Sequence, residues 1–463
     1  MSVPILGGPM RRLILPICLM LGACMPGSPG DVTSRAAMPE LGTMPAARTF
    51  PVPRPTAPQR ANAEIVRDFM DLSMKLESGR ELPVLTRFET PITVQVTGAP
   101  PPTLQSDLSR LLHRLRSEAG IDIRQVSGPA NITIETVSRA DIRRELPQAA
   151  CFVVPNISRL SEYRSAKRSR LTAWSGLQTR RKAAVFIPND TSPQEVRDCL
   201  HEELAQALGP LNDLYRLPDS VFNDDNVHTV LTGFDMLILR AYYAPELHSG
   251  MSRRAVAARL PTLIARLNPA GERIAPQPVP DTPRAWIRAI QSALGPGTGN
   301  AQRRLAAEKA LSIAKTIGWT DHRRAFSHYA MGRIVQSTDP ALAQTHFAAA
   351  DAYYRRSAAT VLHRAHSSAQ LAAYAINQGR GAEALALLDP QIPVAERHEN
   401  AALLAQLLMM RAEALELSGR VAEARTVRMD SLGWARYGYG ADWAVRAKLR
   451  EVSALSPLKG RNG

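Results

Sequence analysis

Alternation of apolar and polar residues predicts strands separated by a helix in the first half of the chain. Residues 92–96, ITVQV, alternate with a period of two, and the same period recurs at 121–126, IDIRQV, and 131–137, NITIETV. Between the first two strands, five leucines in residues 104–115 fall on one helical face, and Gly120 follows as a stop signal.

A second strand–helix unit is predicted further along the chain. The short apolar run AAVFIP at 183–188 predicts a strand, and the segment between it and the strand at 131–137 is expected to be irregular. A polar cap within 190–192, with Pro193 in the first turn, predicts a helix that ends at Gly209. The order of elements indicates an α+β fold for this part of the chain.

The last third of the chain is predicted to be nearly all helix. Residues 369–388 and 408–427 match each other, and their Gly-Arg pairs, each followed by xAEA, lie 40 residues apart. A weaker third unit surrounds 337–350. The pattern resembles tetratricopeptide repeats, although the period is long and the Trp and Pro signatures are missing. A plain helical bundle is the alternative. Repeats of this kind present a concave surface for protein contacts, so we expect an interaction module.

Two Pro-rich stretches divide the chain. Residues 24–60 are rich in Pro, Ala and Arg, which predicts an extended tether that is not packed. Residues 268–284 predict a linker between domains. These boundaries give one domain at 61–267 and a helical repeat domain at 285–463.

The first 23 residues have the features of a signal peptide. Arg11 and Arg12 precede a short apolar run, which is too short for a permanent membrane span. The sequence LGAC that follows resembles the lipobox of bacterial lipoproteins. That resemblance implies that Cys24 becomes the first mature residue and carries acyl chains such as palmitate, which anchor it in a bilayer. Met25, rather than Asp, favours the outer membrane of a Gram-negative cell, facing the periplasm. An ordinary signal peptide with a chance Cys is the alternative.

Charge and cysteine content are interpreted with this compartment in mind. The net charge is +15, yet all but seven of the 57 basic residues are Arg and they are scattered, as a GC-rich genome produces. Nucleic acid is not an expected partner in the periplasm; anionic lipid is a better candidate. The densest basic run, 163–185, is predicted to be a solvated loop.

Cys151 and Cys199 are expected to form a disulfide in an oxidising compartment. Two buried free thiols are the alternative.

The predicted helix before Gly209 carries the main candidate site. His201-Glu202 suggests the zinc pattern HExxH, but Ala205 stands where the second His belongs. In a register shifted by one residue, Glu202 and Gln206 take the two ligand positions, one helical turn apart. The other positions of the pattern are then Glu203 as general base, Gly209 as the helix-ending Gly, Asn212 as third ligand and Asp213 beside it.

This arrangement, EELAQALGPLN, resembles the metzincin pattern HExxHxxGxxH with every His replaced. Residues 219–226, DSVFNDDN, resemble the Met-turn region with Phe222 in place of Met, and 231–243 resemble the helix after it. Together with EExxQALG, ND, SxFND and a preceding Cys, these features resemble a family of proteobacterial lipoproteins known only as domain of unknown function number 2927. The resemblance covers about residues 85–267. It implies a metzincin-like α+β domain but brings no established activity.

The chemistry of the motif leaves three hypotheses. Oxygen ligands weaken zinc and suit Ca²⁺, Mg²⁺ or Mn²⁺, so we expect no cofactor beyond a weakly bound divalent cation. The favoured hypothesis is a non-catalytic pseudo-metallopeptidase, a binding or scaffold protein for an envelope protein or peptide. The alternatives are a peptidase-like hydrolase with Glu203 as base, and a structural hydrogen-bonded network. His228 and His248 lie near the motif but fit no ligand spacing.

Overall fold

The computed structural model describes residues 44–51, 56–277 and 279–459 of the 463-residue chain. The predicted signal peptide, Cys24 and most of the predicted tether lie outside the described residues. Within the described ranges, no helix is both long and apolar enough to cross a membrane.

One mixed sheet lies in the first half of the chain. Its strand order is β2-β1-β3-β5-β4, with β4 antiparallel to β5 and the other neighbours parallel. The strands are β1 (Ile92–Gly98), β2 (Ile123–Gln125), β3 (Ile132–Val137), β4 (Phe152–Pro155) and β5 (Ala183–Pro188). Four of them confirm the strands predicted from sequence. The fifth, β4, lies in the segment predicted to be irregular.

Seven helices accompany the sheet in the described part of the first half: α1 (Asn62–Ser73), α2 (Leu104–Ala119), α3 (Arg139–Glu145), α4 (Leu160–Ala166), α5 (Pro193–Leu208), α6 (Gly233–Tyr242) and α7 (Arg253–Leu267). Leucines of α2 and α5 pack with Val94, Ile134 and Val185 in the main core. On the other face of the sheet, Phe152 and Phe186 pack in a smaller core. Every residue of β5 is therefore buried, and the helix that follows it begins from a fixed position.

The second half is helical, as predicted. Its helices are α8 (Arg284–Leu294), α9 (Asn300–Thr316), α10 (His322–Val335), α11 (Pro340–Tyr354), α12 (Val361–Asn377), α13 (Gly381–Leu388), α14 (Ile392–Arg397), α15 (Ala401–Leu417), α16 (Val421–Tyr439) and α17 (Asp442–Ser453). The two Gly-Arg pairs lie at the turns between α12 and α13 and between α15 and α16. Gly379 and Gly419 have φ of 74° and 76°, a left-handed conformation that favours glycine.

The two halves share core contacts, and part of the predicted tether is packed, contrary to the expectation of an unpacked segment. Tyr215 meets the ring of Trp286 edge-on at 5.1 Å, and Phe50, from the predicted tether, stacks on Trp434 at 4.6 Å. Within the predicted linker, the carbonyl of Val279 accepts a hydrogen bond from Arg67 at 2.7 Å. The buried ring of Phe50 holds this part of the tether, because burying an aromatic ring stabilises packing strongly. The linker is held by polar contacts, such as those from Arg67 and Arg323 to its carbonyls.

Candidate functional site

The motif helix α5 is fixed at its start by signals that the sequence contains. Ser192 Oγ accepts a hydrogen bond from the amide of Glu195, and Pro193 occupies the first turn, as predicted. The sulfur atoms of Cys151 and Cys199 lie 2.08 Å apart, at disulfide distance. The pair connects the start of β4 to α5, one helical turn before Glu202.

The end of the motif helix is held by a buried arginine that sequence reasoning missed. Arg180 donates to the carbonyls of Gln206, Ala207 and Gly209, and Tyr243 donates to the carbonyl of Leu208. Arg180 belongs to the basic run that we predicted to be a solvated loop, yet it is only 2% exposed. The unpaired carbonyls and negative dipole at a helix C-terminus explain why a cation lies there.

Gly209 in the motif is required by a close approach rather than by an unusual φ. A Cβ at this position would meet the ring of Tyr242 at 3.0 Å. The Tyr242 hydroxyl donates to the carbonyl of Thr86, which keeps the ring in place. The tight turn after α5 is therefore set by packing against α6.

Carboxyl groups with raised pKa values cluster around the motif. Burial, with Asp224 and Glu77 nearby, raises the pKa of Glu202 to about 8. Burial raises the pKa of Glu203 and of Asp213 well above the ordinary range, and Glu202 adds to both shifts. Glu203 is 5% exposed, and its Oε2 has no hydrogen-bond partner among the described residues. Raised pKa values favour the protonated carboxyl, and a carboxyl that holds its proton is not available as a general base.

The two amides of the motif have different partners. Asn212 Nδ2 donates to the carbonyl of Asp71 at 2.9 Å, which braces the turn against α1. Gln206 Nε2 lies 3.5 Å from Asp213 Oδ2, at the long limit of a hydrogen bond. The structure thus brings Glu202, Glu203 and Asp213 together, whereas the Asn212 amide group is used by the backbone of α1.

The carboxyl cluster does not have the arrangement of a tight metal centre. Across the described ranges, no three or more His, Cys, Asp or Glu side chains are grouped so that they could hold a metal ion. The expectation that no cofactor is bound stays a prediction.

The loop at residues 219–226 is anchored by hydrogen bonds to the start of α6. Ser220 Oγ and the amide of Val221 both donate to the carboxylate of Asp235, at the start of α6. Phe222 is fully buried, in the main core. This anchoring fixes Asp224 and Asp225, the next acidic residues of the loop.

A cavity of about 1510 Å³ lies where this loop meets helices α8 to α12. Asp224 and Asp225 line it from the loop. The helical half contributes cationic, aromatic and imidazole groups: Arg288, Arg303, Arg304, Phe326, Tyr329, Arg333, Tyr354, His363 and His366. We call this cavity the junction groove. It includes none of Glu202, Glu203 or Asp213 in its lining.

Histidines from distant parts of the chain converge beside the groove. His363 Nε2 donates to Asp225 Oδ2 at 2.8 Å. The ring centroid of His228 lies 6.0 Å from that of His363 and 5.4 Å from that of His398, and His322 lies 6.3 Å from His363. Sequence reasoning treated His228 as an isolated residue. No spacing rule could find this cluster, because its members come from the loop and three separate helical regions.

Comparison with known proteins characterises one part of the chain. None of the curated proteins matches it. Residues 62–262 match the model of the family described as "Protein of unknown function (DUF2927)". The matched segment holds the sheet, the motif helix and the loop, and it ends before the helices that form the other wall of the groove. This segment of the chain is therefore similar to the DUF2927 family.

Proposed function

We propose that the chain is a lipid-anchored periplasmic lipoprotein that binds an extended polypeptide segment of an envelope protein in the junction groove without cutting it. The observation that carries the proposal is the groove itself. Its volume of about 1510 Å³ exceeds the roughly 300–1000 Å³ of ordinary small-molecule pockets. A peptide segment fills such a space better than a small metabolite does.

The lining of the groove suits peptide recognition. Tyr329 and Phe326 contribute aromatic atoms to the lining, and Arg288 and Arg333 are exposed cations of the same lining. Aromatic residues and Arg are the residue types that dominate binding energy at protein interfaces. Because both the DUF2927 domain and the helical half contribute walls, binding needs the whole molecule.

The motif region argues against catalysis in the junction groove. Glu203, the candidate base, is almost fully buried, outside the groove lining, and burial raises its pKa well above the ordinary range. A general base works best with a pKa near the operating pH and with its substrate in hydrogen-bond reach. Asn212, the candidate third ligand, is bonded to α1.

A groove-filling variant tests the proposal. Gln291 is an exposed residue of the lining, so Gln291→Trp should obstruct the groove without disturbing the core. Gln302→Trp is the matched control, on an exposed position outside the lining. Binding of a fluorescent peptide library to the wild type and to the control, but not to Gln291→Trp, is the expected result. Equal binding by all three would show that peptides bind elsewhere.

A hydrolase remains the second candidate, and one observation favours it. Glu202 has a pKa of about 8, which suits a general acid at neutral pH, and it lies next to Glu203 in the chain. Cleavage of library peptides that disappears in Glu203→Gln would support this candidate against the binding proposal.

A further inference from the structure

We infer that the junction groove contains a carboxylate-binding subsite formed by Arg333, His363 and His366. This inference rests on the proposed binding function and names the chemistry of the ligand, a peptide carboxylate. Arg333 is the last-turn arginine of α10, and the two histidines lie one turn apart on α12. All three line the same groove.

The first support is a pair of buried ring nitrogens without partners. Nδ1 of His363 and Nε2 of His366 have no hydrogen-bond partner among the residues that the structure describes. His363 is 1% exposed. A buried polar atom left unpaired costs about 1–3 kcal/mol, so such atoms in a cavity wall indicate a ligand or water that completes the bonding.

The second support is the availability of Arg333. Two other arginines of the lining are occupied: Arg303 donates to the carbonyls of Ala293, Gly295 and Thr298, and Arg304 pairs with Glu308. Arg333 is exposed and makes no ion pair or hydrogen bond within the described part of the chain. A guanidinium with free donors recognises a carboxylate through paired hydrogen bonds.

The nearby acid does not compete for these cations. Asp225 accepts hydrogen bonds from His363, from the amide of Val227 and from Asn223 Nδ2. Three hydrogen-bond donors therefore stabilise the negative charge of this carboxylate. A bonded Asp225 orients the His363 ring, and Nδ1 can donate to a ligand carboxylate when that nitrogen also carries a proton.

The charges that face the two histidines determine how binding depends on pH. Asp225 and His228 face them from the loop, His322 and Arg333 from α10, Tyr354 from α11 and His398 from the end of α14. Burial, with His363 and Arg333 nearby, lowers the pKa of His366 to about 4.

A bound carboxylate favours the protonated imidazole and raises that pKa. The complex therefore takes up protons, and affinity should rise as the pH falls from 8 to 5.

Four peptides of one length, each carrying the same fluorophore, test the inference on the full mature chain. One has acidic side chains and an amidated end, one is neutral with a free C-terminal carboxylate, one is neutral and amidated, and one is basic and amidated. The first two distinguish side-chain from terminal carboxylates. We expect either or both to bind at least tenfold more tightly than the amidated neutral peptide, since an ionic hydrogen bond contributes a factor of this size.

Two variants and a control identify the residues. Arg333→Gln should weaken binding of the carboxylate peptides at least tenfold. Arg425 is an exposed arginine outside the groove lining, so Arg425→Gln should leave this binding unchanged. His366→Gln keeps a hydrogen-bonding side chain but cannot titrate in this range. It should keep most of the affinity at pH 8 and reduce the gain between pH 8 and pH 5, an effect that a purely structural role would not produce.

The contradicting outcomes separate the inference from the proposed function. Equal binding of all four peptides, abolished by Gln291→Trp but unchanged in Arg333→Gln, would overturn the carboxylate subsite and leave the peptide-binding groove standing. Preference for the basic peptide would overturn the subsite in the same way. Absence of binding by every peptide would contradict the proposed function as well.

Discussion

Glu202 carries a proton at neutral pH in the folded chain, and this makes folding sensitive to pH. Burial first, and then Asp224 and Glu77, raise its pKa from 4.5 to about 8. Because the folded pKa lies above the unfolded value, the stabilising contribution is full below about pH 4.5 and is lost as the pH rises through about 8.

The variant Glu202→Gln cannot ionise, so it should avoid this loss. We expect it to be more stable than the wild type at pH 9 by several kcal/mol, since each unit of pKa shift corresponds to about 1.4 kcal/mol, with a smaller difference at pH 5. Denaturant unfolding at both pH values measures the effect. Glu396→Gln, at an exposed position, is the control and should leave both values unchanged. A variant less stable than the wild type at pH 9 would contradict the assigned protonation state.

At the scale of single elements, the C-terminal end of α5 depends on Arg180. Replacement by Met keeps the length of the side chain but leaves the carbonyls of Gln206, Ala207 and Gly209 buried without this donor. Arg180→Met should therefore lose about 2–4 kcal/mol of unfolding free energy. Arg181→Met, on the exposed neighbour, should change it by less than about 0.5 kcal/mol. Equal stabilities would mean that Arg180 does not cap the motif helix.

The elements that sequence predicted are those whose signals are local. The alternation at 92–96, the cap at Ser192 and the glycine at 379 each act within a few residues, and each appears in the structure. Strand β4 was missed because FVVP is too short to show a period. Arg180 and His363 were missed because their partners lie far away: Arg180 bonds a carbonyl 26 residues on, and His363 bonds an acid 138 residues away.

At the scale of the whole molecule, the helical half is expected to depend on the first half of the chain. Tyr215 covers Trp286 and Phe326, and Arg197, on α5, forms a buried ion pair with Glu399. A fragment that begins at residue 285 loses these partners, and each aromatic pair contributes about 0.5–1.5 kcal/mol beyond its buried area. Its melting temperature, measured from the loss of helical circular dichroism, should lie several degrees below that of the full chain. An unchanged melting temperature would support two independent domains.

Membrane attachment is a prediction about the whole molecule that depends on one residue outside the described ranges. The lipobox resemblance at LGAC implies that Cys24 carries the anchor. Expressed in a Gram-negative host, Cys24→Ala should move from the membrane pellet to the soluble fraction and lose the mass of the acyl chains. A mutant that still pellets at the wild-type mass would contradict lipidation at Cys24.

The central claim is that the chain binds peptides in the junction groove and does not cut them. The most direct measurement is mass spectrometry of a random peptide library after incubation with the immobilised mature protein, with bound and free fractions analysed separately. The account predicts that retained peptides are intact, that they are enriched in carboxylates, and that no new termini appear. New termini produced by the wild type and absent with Glu203→Gln would contradict it and establish a hydrolase.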